Sequence, residues 1–157
     1  MLDSYVLDSS ILVASLIPSD KFYDGGTLVV KRILGSDDMV YASAIVPVEV
    51  CAAVARRTKD KFSAREARRQ IGKWASLGRL RILYLNATRM KRAQEIGIEY
   101  YLRSMDAVIV QIAEEKKIPL VTFDQALAER VAPIVKAVTS DNLEKEITPI
   151  ETDEPDK

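Results

Sequence analysis

Histidine is absent from the 157 residues, and that absence excludes more chemistry than any other single feature. Serine and cysteine hydrolases with an imidazole base, His-ligated zinc sites and histidine-based ribonucleases all fall away. Cysteine is reduced to Cys51, so no intramolecular disulfide forms, and its place among Val48, Ala52 and Val54 in an apolar helical pattern assigns it to the core. No apolar run approaches the roughly 20 residues of a membrane-spanning helix, and the first residues lack the basic patch and long apolar stretch of a signal peptide. A cytoplasmic location without membrane attachment is the expectation. Any catalysis must use carboxylates, hydroxyls, lysine, arginine or a metal ion.

The residues that are present, 48% hydrophobic and 29% charged, have the balance of one globular domain with a single core. A formal net charge of zero hides a segregation along the chain. From Arg56 to Arg103 there are fourteen Lys or Arg against four acids, leaving nine bases and nineteen acids elsewhere. Such a basic stretch is the footprint of a polyanion-binding surface; solvated faces of amphipathic helices produce the same count.

Along the chain, Ser4-Tyr5-Val6-Leu7-Asp8 reads as a short buried strand ending in a carboxylate, with Ser9 or Ser10 capping the helix through Leu16. A loop containing Pro18 and the Gly25-Gly26 pair precedes a helix over Leu28 to Leu34 stopped by Gly35, and Met39 to Ala42 reads as a second strand. The helix from Ile45 has Val48, Glu49, Ala52 and Ala55 at helical spacing, which puts Glu49 on the apolar stripe. Ser63-Ala64-Arg65-Glu66 matches a capping box and opens a basic helix to Gly78. Leu80 to Leu85 is the third strand. Asn86 caps the next helix and Ser104 the one carrying Asp106; Pro119 to Thr122 has strand character, Asp124 opens a short helix, and Ile134 to Val138 is a last strand.

Short strands alternating with helices predict a three-layer α/β/α sandwich with a mostly parallel central sheet. Residues 1–140 form the domain; 141–157, with seven acids and two bases, read as an acidic, flexible tail. In such folds, strand ends and helix starts share one edge, where sites are built. Asp8, Glu49, Asp106 and Asp124 all fall on that edge. Each has an ordinary reading as a cap or a dipole partner, except that a glutamate on an apolar stripe costs several kcal/mol unless it is paired, hydrated or bound to a cation. Four converging acids repel one another unless a cation neutralises them. An all-oxygen donor set suits Mg²⁺ first and Mn²⁺ second, ions that activate water at a phosphodiester, with the Ser9, Ser10 and Thr122 hydroxyls placed to orient a carboxylate or phosphate.

The strand Tyr5-Val6-Leu7-Asp8 with Ser9-Ser10, the helix with Val48-Glu49-Val50, Asp106-Ala107-Val108-Ile109, and Pro119-Leu120-Val121-Thr122-Phe123-Asp124, in this order and spacing, resemble the PIN-domain family, in particular the VapC-type toxins of prokaryotic toxin and antitoxin pairs. The resemblance implies a Mg²⁺- or Mn²⁺-dependent ribonuclease, a homodimer and an antitoxin partner. Asp8, Glu49, Asp106 and Asp124 would be the metal site, supported by Ser9 and Thr122; Ser10 departs from a common asparagine. Arg56, Arg57, Arg68 and Arg69, crowded between the Glu49 and Asp106 motifs, would guide RNA. A haloacid-dehalogenase-type phosphatase would want a second Asp where Ser10 stands, and a receiver domain would not place its glutamate inside a helix. The non-enzyme alternative is a catalytically quiet PIN scaffold used for binding in RNA processing.

Overall fold

β-branched and aromatic runs form the sheet of this protein, and the helices between them bury their apolar faces on it. The computed structural model describes residues 4–147, apart from the side chains at 33 and 34. Strands β1 (Ser4–Leu7), β2 (Met39–Ser43), β3 (Arg81–Leu83), β4 (Leu120–Val121) and β5 (Ala137–Val138) alternate with helices α1 (Ser9–Leu16), α2 (Tyr23–Gly35), α3 (Ile45–Thr58), α4 (Lys61–Ser76), α5 (Ala87–Glu99), α6 (Ser104–Lys116), α7 (Gln125–Val131) and α8 (Leu143–Ile147). The strand order is β3-β2-β1-β4-β5, and every described pairing is parallel. This is the expected parallel sheet flanked by helices. β1 is central, with Tyr5, Val6 and Leu7 inaccessible to solvent.

Local details differ from the sequence reading, each for a physical reason. The Gly25-Gly26 pair, expected in a loop, lies inside α2. A Cβ on Gly26 would stand 2.7 Å from the Ser15 backbone nitrogen and 2.9 Å from the Ile11 carbonyl oxygen, so the glycine lets α2 cross close against α1. The capping box at Ser63 is displaced. The cap lies three residues earlier, at Asp60, whose carboxylate accepts from the backbone N–H of Phe62 and Ser63 and from Ser63 Oγ. An anion with several donors at a helix start suits the dipole better than a serine. Ser104 is likewise the first residue of α6 and not its cap; Arg103 precedes it.

The stripe on α3 is also phased differently. Val46, Val50 and Val54 are buried, whereas Val48 is exposed and Cys51, expected in the core, is only half-buried. Glu49 therefore borders the packed face instead of lying on it. Glu114 and Glu115 pin α6 to α5: Arg92 donates to Glu114 from Nε at 2.8 Å, and Arg89 to Glu115 from Nε at 2.8 Å. The Asp38 carboxylate, in the turn after α2, accepts from Arg32 Nε at 2.8 Å.

The acidic segment 141–157 starts as structure. α8 buries Leu143 and Ile147 in the common core, and the Ile147 carbonyl accepts from Arg32 Nη1 at 2.9 Å. Two apolar residues one turn apart are enough to dock it. The rest of the expected tail, 148–157, lies outside the described residues.

Gly26→Ala should destabilise the fold by about 1–3 kcal/mol, because the α1 backbone leaves the methyl no room. Gly72→Ala on α4, where a Cβ meets nothing within 4 Å, should stabilise it by up to about 1 kcal/mol. Urea unfolding of both variants checks the pair.

Candidate active site

In a parallel sheet, the crevice forms where the chain order reverses, at the carboxyl ends of the strands flanking the switch. Here β1 pairs with β2 on one side and β4 on the other. Asp8 follows β1, and Thr122 to Asp124 follow β4. The ends are tied by backbone, as Asp8 N–H donates to the Val121 carbonyl at 3.0 Å.

Asp8 is only 6% exposed. Its Oδ2 accepts from Thr122 Oγ1 at 2.7 Å and Ser10 Oγ at 2.8 Å, and its Oδ1 accepts from Ser9 Oγ at 3.5 Å. The hydroxyls are themselves held: Ser10 Oγ accepts from Phe123 N–H and Thr122 Oγ1 from Asp124 N–H, both at 3.0 Å. Burial pushes the Asp8 carboxyl above its ordinary range, its hydroxyl donors oppose that, and the Asp106 charge adds to it. Of the two serines, Ser10 makes the shorter bond and bridges β1 to β4. Sequence alone gives it the weaker case of the two; its offset of two from Asp8, at the start of a helix, is the signal that marks it.

Glu49, half-buried on α3, has Oε2 buried without a hydrogen-bond partner. Its carboxyl is raised first by desolvation, then by the Asp8 and Asp106 charges, while Ser9 and Arg103 pull the other way. Asp106 sits in the first turn of α6. Asp124 caps α7, accepting from Leu127 N–H at 2.9 Å through Oδ1. Asp106 and Asp124 share Arg103, whose Nε donates to Asp106 Oδ2 at 2.9 Å and whose Nη2 lies 3.6 Å from Asp124 Oδ2. A groove of about 760 Å³ runs past Ser9, Glu49, Asp106 and Arg103.

The Asp106 charge thus acts on Asp8 and Glu49, the Asp8 charge acts on Glu49, and Asp124 joins them through Arg103. Among the described residues, no three acids or thiols stand in a geometry that could hold a metal ion. The donor chemistry nonetheless fits a hard divalent cation: the set is all oxygen, two carboxyls carry raised pKa values, and one buried oxygen is orphaned. Of the basic candidates, Arg56 lines the same groove. Arg57 donates from Nη1 to Asp20 at 2.6 Å, Arg69 donates from Nε to Glu66 at 2.9 Å, and Arg68 is exposed on α4. Arg103 escaped the sequence reading, although its i,i+3 spacing to Asp106 marks a helical pair.

A carboxyl whose pKa is raised on folding adds stability fully present below the unfolded pKa near 4 and lost as pH rises through the folded value. Without divalent ions, the protein should therefore become more stable as pH falls from neutral toward the raised pKa values of Asp8 and Glu49. Asp8→Asn, which keeps the shape and removes the charge, should raise stability at neutral pH by about 1 kcal/mol. Urea unfolding in chelator across pH measures both; an Asp8→Asn chain less stable than the native one would contradict the desolvation argument.

The model of the PIN domain matches residues 5–132. No curated protein sequence matches the chain. Among solved structures, it is similar to Mycobacterium tuberculosis VapC20, a sarcin-ricin-loop-cleaving toxin, at TM-score 0.66 and 19% identity over 84% of this chain and 97% of that one. It is also similar to VapBC2 from Rickettsia felis bound to a DNA fragment from its promoter, at 0.62 and 19% over 87% and 98%. VapBC-1 from nontypeable Haemophilus influenzae gives 0.61 and 15% over 87% and 97%. At these identities the structures show the shared fold, while the family model spans most of the sequence. This chain belongs to the PIN-domain family.

Proposed function

We propose that the protein is a metal-dependent endoribonuclease, the toxin of a VapBC-type pair, working as a cytoplasmic homodimer restrained by an antitoxin protein. The observation that carries this reading is the desolvated pair Asp8 and Glu49, both raised further by the Asp106 charge, with a buried and unpartnered Glu49 oxygen. An acid edge like this is costly unless a cation completes it. The VapBC complexes among the similar structures support an antitoxin partner. Exposed Tyr84, Met90, Ile98 and Tyr101 offer apolar surface for a protein partner.

In this reading Asp8, Glu49, Asp106 and Asp124 hold Mg²⁺ or Mn²⁺, which when bound supplies an activated water and neutralises charge at the phosphodiester. The chain's own part is positioning. Ser10 and Thr122 fix the Asp8 carboxylate by two short bonds, and Ser9 stands between Asp8 and Glu49. Arg56, exposed on the groove beside Glu49, draws a phosphate backbone toward the acids, with Arg57, Arg68 and Arg69 extending the basic field. The competing reading is a quiet PIN scaffold that binds RNA without cutting it, and it is favoured by one observation: Arg103 already pairs with two of the acids.

Cleavage of a mixed RNA pool with Mg²⁺ or Mn²⁺ separates the two. The native chain should cut, and Asp8→Asn or Asp106→Asn should fold yet lose at least about a hundredfold in rate, as loss of charge stabilisation at a reacting centre does. Full activity in both variants would remove the metal-site assignment. RNA binding by the non-cleaving Asp8→Asn chain should weaken with salt, and a further Arg56→Ala change should lower the log–log salt slope by about 1, the value for one phosphate left without its cation. Filter binding at several salt concentrations reads this, and an unchanged slope would exclude Arg56 from the RNA path.

A further inference from the structure

Arg103 faces the whole acidic edge. It bonds Asp106, reaches Asp124, and its charge acts on both Asp8 and Glu49. Two facts say that the acids hold it there and not the fold. Its side chain is 80% exposed, whereas that of Asp106 beneath it is 14% exposed, so the core does not pack the guanidinium in place. It also stands immediately before α6, at the positive end of the helix dipole, where a cation is disfavoured. A cation in that position is sustained by its carboxylate partners.

We infer that Arg103 is the built-in counter-ion of this site: it neutralises Asp106 and Asp124 in the metal-free protein and has to yield them before a divalent cation can be held. The guanidinium occupies oxygens of Asp106 and Asp124 that a cation would need. The inference rests on the metal-dependent reading above and adds a competition to it. Arg103 keeps the acid edge from repelling itself apart, at the cost of weaker metal binding. It is a positioning residue, acting through the carboxylates.

The test is Mn²⁺ binding to the full-length protein without RNA, followed by electron paramagnetic resonance, in the native chain, Arg103→Ala and Arg103→Lys. Removing the competitor should tighten Mn²⁺ binding about two- to fivefold, the scale of an exposed ion pair, while Arg103→Lys should stay near native. Urea unfolding adds a readout that a purely structural arginine would not move: Arg103→Ala should be less stable than native in chelator and equal to it in saturating Mn²⁺. Mn²⁺ binding of equal or lower affinity in Arg103→Ala than in the native chain overturns the counter-ion role alone. Failure of the native chain and both variants to bind Mn²⁺ overturns the metal-dependent reading with it.

Discussion

A carboxylate taken out of water at the end of a buried strand must be hydrogen-bonded, and the way Asp8 is bonded organises the rest of this molecule. Its donors come from the start of α1 and from the residue after β4, and those donors accept in turn from Phe123 and Asp124. The network fixes the two central strand ends to each other and sets the α1 and α7 starts around them. Each of these bonds offsets part of the desolvation of Asp8 without neutralising it. The residual charge of Asp8 acts on Glu49, and the charge of Asp106 acts on both, which is why the edge behaves as one electrostatic unit.

The remaining charges are used differently. Arg32 with Asp38, Arg89 with Glu115 and Arg92 with Glu114 are bidentate pairs between segments distant in sequence or across a turn. Arg89 and Arg92 belong to the basic middle segment, where Arg57 and Arg69 are paired as well, with Asp20 and Glu66, so Arg56 and Arg68 remain as exposed arginines of α3 and α4 outside those pairs. Net charge along the sequence therefore overstates the basic surface. The acids that remain near the site have Arg103 as their counter-ion, and its exposed position makes that arrangement exchangeable.

Strands and their order of appearance were readable because each is a short β-branched run bounded by turns, and the acids at β1, β4 and the start of α6 were readable because they sit at element boundaries. The phase of α3 was not, since Ile45, Val46, Val48, Val50, Ala52 and Val54 are apolar all round and only packing against α1 and α4 chooses Val46, Val50 and Val54. The glycine pair of α2 read as a loop because its reason, the 2.7 Å approach to α1, is tertiary. Arg103 was hidden in a run of bases whose ordinary reading is a solvated face, and the docking of α8 by Leu143 and Ile147 was hidden within an acidic stretch.

Anomalous scattering from a crystal grown in Mn²⁺ locates the cation against this acidic edge. A peak is expected beside Asp8, Glu49 and Asp106, with the Arg103 guanidinium turned away from Asp106 and Asp124. A structure with Mn²⁺ bound elsewhere, or with the Arg103 pairs intact and no peak at this edge, would contradict that expectation.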